Sequence, residues 1–282
     1  MHKIKNIPIK GIHKKPIITD IFYHKNNHPK PVVIFCHGYK GYKDWGAWNL
    51  IAEEFTTNDM FFVKFNFSHN GGTLKQPLDF PDLEAFGHNN FIKELDDLKS
   101  VIDWLLDDNV YKNEIDQKNI TLIGHSRGGG IVAIKASEDN RVTKVISWAG
   151  VSDFGSRFPD EKSIKKWEET GVAFITNGRT NQQMPHYYQF YTNFKENEKR
   201  LHIKSAVKNL RIPYLIIHGT NDETVNKKEA ESLKDWGIRS NLFLVEDTNH
   251  TFDSIQPFNS PFLPKALKKV ANISIIFIKD KL

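Results

Sequence analysis

The stretch ITLIGHSRGGGIV, residues 120–132, sets a β-branched apolar run against a glycine cluster, with one serine between them. Within it Gly124-His125-Ser126-Arg127-Gly128 matches G-x-S-x-G, the pattern of a serine held on a sharp strand-to-helix turn. Small flanking residues let strand and helix approach closely enough to expose the hydroxyl. A serine hydroxyl is a poor nucleophile at neutral pH, so this chemistry requires a histidine base and a carboxylate that orients it. Two downstream loops supply candidates. Asp222 follows the apolar run YLIIHG at 214–219, and His250 follows NLFLVE at 241–246, within DTNHTF. Together they predict acyl transfer through a covalent acyl-serine.

Such residues need a frame that brings distant loops together. Short, nearly continuous apolar runs at 32–36, 60–66, 120–124, 145–150, 214–219 and 241–246 read as strands buried on both faces. Helical patterns fill the intervals at 46–57, 90–106, 127–138, 226–236 and 264–279. In the second of these, Phe91, Leu95, Leu98, Val101, Ile102 and Leu105 form one stripe that reads as core, and Asn89 or Asn90 would cap its start. Two earlier runs, around KNIPIKG and PIITDIFY, alternate more and suggest an antiparallel edge. The expectation is an α/β fold: a mostly parallel sheet of about eight strands flanked by helices.

Residues 154–205 break the alternation. The segment is long, lacks a clear strand pattern and contains KKWEETG and MPHYYQFYTNF. Long irregular stretches inside a domain are usually functional, so the sequence predicts an inserted lid of helices and loops after the sixth strand. The core would then comprise 1–153 and 206–282.

The composition narrows the function classes. Of 282 residues, 39% are hydrophobic and 26% charged, as in soluble globular chains. The net charge is +5, but lysines alternate with acids and form no basic stripe, which argues against a nucleic-acid partner. No HExxH-type spacing points to a metal, and no cofactor is implied. The single cysteine, Cys36 within VVIFC, excludes a disulfide within the chain and reads as a buried thiol. The N-terminus lacks a signal-peptide core, and ISIIFI is too short to span a bilayer. The expectation is a cytoplasmic protein without a membrane partner, and a homodimer is compatible with it.

CHGYKG, GHSRGG, HGTNDETV and NHTF together resemble the α/β-hydrolase superfamily, whose chain order Ser, Asp, His is also matched. The chain is similar to small bacterial feruloyl or cinnamoyl esterase-like, dienelactone-hydrolase-like and prolyl-oligopeptidase-like serine hydrolases. The resemblance covers 30–153 and 206–282. It implies the α/β-hydrolase fold, with Ser126 as nucleophile, His250 as base and Asp222 as acid, Asp153 being the rival acid. It further implies that the backbone N–H groups of Tyr39 and Arg127 hold the oxyanion. The implied function is hydrolysis of a small-molecule carboxylic ester. The same machinery would serve a peptidase, amidase or thioesterase, and a non-catalytic binding protein is the remaining alternative.

Substrate contacts are expected from Tyr42, beside the oxyanion loop, and from His186, Tyr187 and Tyr188 in the lid. Aromatic residues at such density would suit an aromatic or otherwise apolar acyl group. Lys40 and Lys43 read as ordinary exposed lysines. His37 is expected to brace the oxyanion loop, His125 to bond within the core, His69 to sit in a solvated loop, and Asp247 to point away from His250.

Overall fold

The computed structural model describes residues 1–107 and 109–280. Its elements run β1 (His2–Ile9), β2 (Ile17–Tyr23), β3 (Lys30–Cys36), α1 (Trp48–Thr57), β4 (Phe61–Asn66), α2 (Leu83–Gly87), α3 (Phe91–Asp107) and β5 (Ile115–His125). They continue with α4 (Arg127–Glu138), β6 (Lys144–Trp148), α5 (Glu161–Thr170), β7 (Val172–Thr176), β8 (Gln183–Tyr187), α6 (Gln189–Glu196) and α7 (Ile203–Asn209). The last are β9 (Tyr214–Gly219), α8 (Lys227–Trp236), β10 (Ser240–Val245) and α9 (Lys265–Ile278). Eight strands form one sheet in the order β1-β2-β4-β3-β5-β6-β9-β10. The β1-β2-β4 edge is antiparallel and the remaining pairs are parallel.

Alternation along each strand divides the core in two. Val32, Ile34 and Cys36 face one apolar layer with α3 and α4, while Val33 and Phe35 face the other with α1 and α9. The α3 stripe from Phe91 to Leu105 is buried as its spacing requires, and the side chain of Asn90 caps the helix by accepting from the N–H of Lys93 at 2.9 Å. Among the described residues no helix is long and apolar enough to cross a membrane.

The inserted segment departs from its expectation. Between α5 and α6 it folds an antiparallel hairpin, β7 with β8, separate from the main sheet. The hairpin has no partner sheet, so β7 stays largely exposed and carries no core-facing alternation to read. Pro185 lies within β8, and a two-stranded ribbon consists of edges, where a missing N–H is tolerated. Helices α2 and α7 are likewise too short for a periodicity to show.

Lys43 is the second departure. It is fully buried, and with Lys64 it meets Asp20 and Asp44: Lys43 Nζ lies 2.8 Å from Asp20 Oδ2, and Lys64 Nζ lies 2.9 Å from the same oxygen and 2.6 Å from Asp44 Oδ1. The two buried cations offset the two anions, and Lys5 reaches Asp44 from the surface at 3.7 Å. Burial pushes the Asp44 carboxyl up, but the charges of Lys64 and Lys43 outweigh it and hold the group below its ordinary range.

Removing one ammonium strands an uncompensated carboxylate, which typically costs about 3–5 kcal/mol. Lys64→Met should therefore lower the melting temperature by roughly 10 °C in calorimetry. Because Asp44 is held below its ordinary pKa of 3.8, its contribution is complete above that value. It should vanish only as the pH falls further, so wild type and variant should converge in acid.

Candidate active site

Ser126 occupies the single residue between β5 and α4, with φ 57° and ψ −120°. A β-carbon on Gly124 would lie 2.1 Å from the Gly128 carbonyl oxygen, and one on Gly128 would lie 2.5 Å from that of Cys36. Only glycine permits this crossing. The strained serine is held by its own backbone, since its N–H donates to Trp148 O at 2.9 Å and its carbonyl accepts from Gly129 and Val151.

His250 and Asp222 meet at the adjoining strand ends. His250 Nδ1 lies 2.8 Å from Asp222 Oδ2, which leaves Nε2 free to face a hydroxyl. Asp222 Oδ1 accepts from the N–H groups of Thr224 and Val225 at 2.9 Å each. Oδ2 also lies 3.2 Å from Nε2 of His218, the penultimate residue of β9. Burial raises the carboxyl's pKa, but the hydrogen bonds from His218 and His250 prevail and keep it well below the usual range. Asp222 is thus an anion at any working pH. His218 was not singled out from the sequence, and its place in YLIIHG, four residues before Asp222, is the only signal that could have found it.

Two cavities open on either side of Ser126, and Tyr39 and Thr224 border both. The first, of about 480 Å³, is lined by His250, Trp45, Trp48, Asn177, Arg179 and Gln256. The second, of about 470 Å³, is walled by Phe91, Phe154, Phe158, Trp167 and Phe190, with Arg127 at its edge. Tyr39, which borders both, and Arg127, which borders the second, each carry a backbone donor. Neither the Tyr39 nor the Arg127 N–H has a protein acceptor among the described residues, and the latter is an orphan donor of the first turn of α4.

The BD-FAE family model matches residues 19–236. The chain belongs to the BD-FAE family. No curated protein matches it. Among solved structures, Est1E from Butyrivibrio proteoclasticus with ferulic acid bound superposes with a TM-score of 0.73 at 16% identity, covering 98% of each chain. A dienelactone hydrolase from Anabaena variabilis gives 0.65 at 15% identity over 100% of this chain and 98% of that one. A monoacylglycerol lipase from Paleococcus ferrophilus gives 0.68 at 13% identity over 94% and 99% respectively. At these identities the likeness speaks to the fold, which is that of α/β-hydrolases.

Several expected contacts of this BD-FAE-family chain lie elsewhere. Tyr42 is fully buried beneath the loop, bonded to Asp79 and edge-on to Phe80, and lines neither cavity. Tyr187 turns outward to bond Glu84 at 2.5 Å and pack on His88. Tyr188 precedes α6 and packs on Trp167 and Tyr191 behind the wall. His186 alone of the four borders the apolar cavity. Conversely Phe91, expected only in the core, forms part of the cavity wall, stacked on Phe154 at 4.0 Å. A helix stripe looks the same in sequence whether its first residue meets a neighbour or a void.

The other rivals have separate occupations. Asp153 is exposed, and its two oxygens accept from Gly155 and Ser156 N–H at 2.9 and 3.1 Å. Asp247 is exposed and held through its N–H by Thr220. His37 Nδ1 bonds the Gly38 carbonyl at 2.9 Å, and His125 Nε2 bonds the His250 carbonyl at 2.9 Å. His69 is buried rather than solvated, bonded to Ser68 Oγ at 2.8 Å, and lines neither cavity.

Burial lowers the pKa of His37 to about 4 and of His125 and His186 to about 3. All three rings should therefore stay neutral, and an NMR titration between pH 5 and 8 should show them without the shift change that exposed histidines display.

Proposed function

We propose that this chain is a serine hydrolase of carboxylic esters. The observation that supports it most is the 2.8 Å His250–Asp222 hydrogen bond on the wall of a cavity that Ser126 also lines. In this reading His250 Nε2 takes the Ser126 proton as Oγ attacks the ester carbonyl. Asp222 holds the imidazole tautomer and stabilises the imidazolium. The negative oxygen of the tetrahedral intermediate accepts from the Tyr39 and Arg127 N–H groups, whose lack of protein acceptors supports this role. Collapse breaks the C–O bond, and the imidazolium protonates the departing alcohol. Water, deprotonated by the same ring, then releases the acid and restores Ser126.

Proton return to the leaving group assigns the two cavities. The alcohol must lie within reach of His250, so it takes the more polar cavity with Trp45, Asn177 and Gln256. The acyl group then takes the other, whose ring-lined wall favours an aromatic or otherwise apolar chain. The ferulic acid bound to Est1E is an aromatic acid of this kind. We read residues 154–205 as a cap, because Phe154, Phe158, Trp167 and Phe190 supply that wall while the core supplies the reacting groups.

Ser126→Ala should abolish hydrolysis of p-nitrophenyl esters and labelling by a fluorophosphonate probe, and full activity in the variant would refute the reading. Asp222→Asn should lower kcat about 10³–10⁴-fold at neutral pH. For the cavity assignment, Phe158→Ala should reduce kcat/KM for an aryl-acyl ester about 10–100-fold relative to the acetyl ester. Changing the alcohol instead should leave that ratio unmoved.

A further inference from the structure

The side chains of the two residues that flank Ser126 with free N–H groups are themselves joined. The Arg127 guanidinium lies over the Tyr39 ring at 4.3 Å. Its other side rests on Phe91 and Phe190, and its Nη1 lies 3.4 Å from Oε1 of Glu94, a carboxylate buried on α3 that Asn89 also holds at 2.7 Å. At the far end, the Tyr39 hydroxyl meets His186 Nε2 at 2.6 Å. His186 belongs to β8 of the inserted hairpin and packs on Phe86 and Phe190. A chain of contacts therefore runs Glu94, Arg127, Tyr39, His186, from the core helix α3 through both residues to the insertion.

Resting on the serine-hydrolase reading, we infer that this bracket couples the seating of the inserted hairpin to the oxyanion hole, with His186, Glu94 and the side chains of Tyr39 and Arg127 as positioning groups. The Tyr39 N–H sits on a loop that the Lys43 cluster holds from beneath, next to Lys40 with φ 52°, and its opposite side needs a tie toward the inserted hairpin. The phenol provides it. Burial keeps the His186 ring neutral, which lets Nε2 accept from the phenol without charge. A donor tilted away from the developing oxyanion loses stabilisation realised only in the transition state, so the bracket acts on kcat and not on ground-state binding. An arginine at the position after the nucleophile then has a physical reason: its N–H serves the hole, and its side chain clamps the partner donor's ring.

The test uses the full chain with an acetyl ester, too small to probe the acyl wall. Tyr39→Phe and His186→Phe should each lower kcat about tenfold with KM changed less than twofold. The affinity of a trifluoromethyl ketone, which mimics the oxyanion, should fall by the same factor. The double variant should be no worse than either single one, and His186→Gln, which keeps an acceptor, should recover most of the loss. Glu84→Ala removes a different tie between β8 and the core, the bond to Tyr187, and should leave kcat unchanged. Losses that multiply in the double variant, a rise in KM at constant kcat, or an equal loss in Glu84→Ala would overturn the coupling while fluorophosphonate labelling of Ser126 persists. Absence of labelling in the wild type would instead overturn the serine reading, and the coupling with it.

Discussion

The near-collision of β5 with α4 is the constraint on which the rest of the structure depends. With a β-carbon on Gly124 placed only 2.1 Å from the Gly128 carbonyl, the chain can turn there only if both positions are glycine. Ser126 must then adopt a positive φ that costs on the order of 1–3 kcal/mol. That cost is met by neighbours on both sides. Gly128 slides beneath the carbonyls of Cys36 and His37 at the end of β3, and Ser126 donates to Trp148 at the end of β6. The serine's place is thus set by three adjacent parallel strands, whose register also decides where Tyr39 can be.

The loop that carries Tyr39 is tied down from beneath by charge. Lys43 shares Asp20 and Asp44 with Lys64, and its N–H donates to Asn66 Oδ1 at 2.6 Å. These links join the loop to β2 and β4, the antiparallel side of the sheet. Replacing a buried ion cluster by apolar residues is often neutral or stabilising, so net stability is a poor account of it. Direction is a better one: Lys43 can meet both carboxylates only with its loop lying over β2 and β4.

How much was legible in the sequence follows from how local each signal is. The central strands and the five helices expected between them, α1, α3, α4, α8 and α9, carry runs or stripes that bury well only as such, and they form where their patterns place them. Ser126, Asp222 and His250 each follow an apolar run, so strand ends could be read without coordinates, and His250 and Asp222 meet at 2.8 Å. The insertion was opaque. Its hairpin pairs only with itself, and its aromatics could face wall or solvent: Phe158 and Trp167 line the cavity whereas Tyr187 and Tyr188 do not. Lys43 was unreadable for a related reason, because Asp20 on β2 is distant in sequence and an adjacent acid such as Asp44 does not by itself mark a lysine as buried.

The two candidate acids differ in what the fold turns their carboxylates toward. Asp153 and Asp222 both follow parallel strands, β6 and β9, that are neighbours in the sheet. Asp153 opens the insertion, and the turn that starts it takes both carboxylate oxygens, one for Gly155 and one for Ser156. Asp222 gives Oδ1 to its turn, through Thr224 and Val225, and turns Oδ2 to the imidazoles of His250 and His218. Among the described residues Asp153 bonds no imidazole and turns to its own loop, whereas Asp222 lies buried against that of His250. In the serine-hydrolase reading the orienting acid therefore stands after β9, one strand beyond β6, beside the loop after β10 that carries His250.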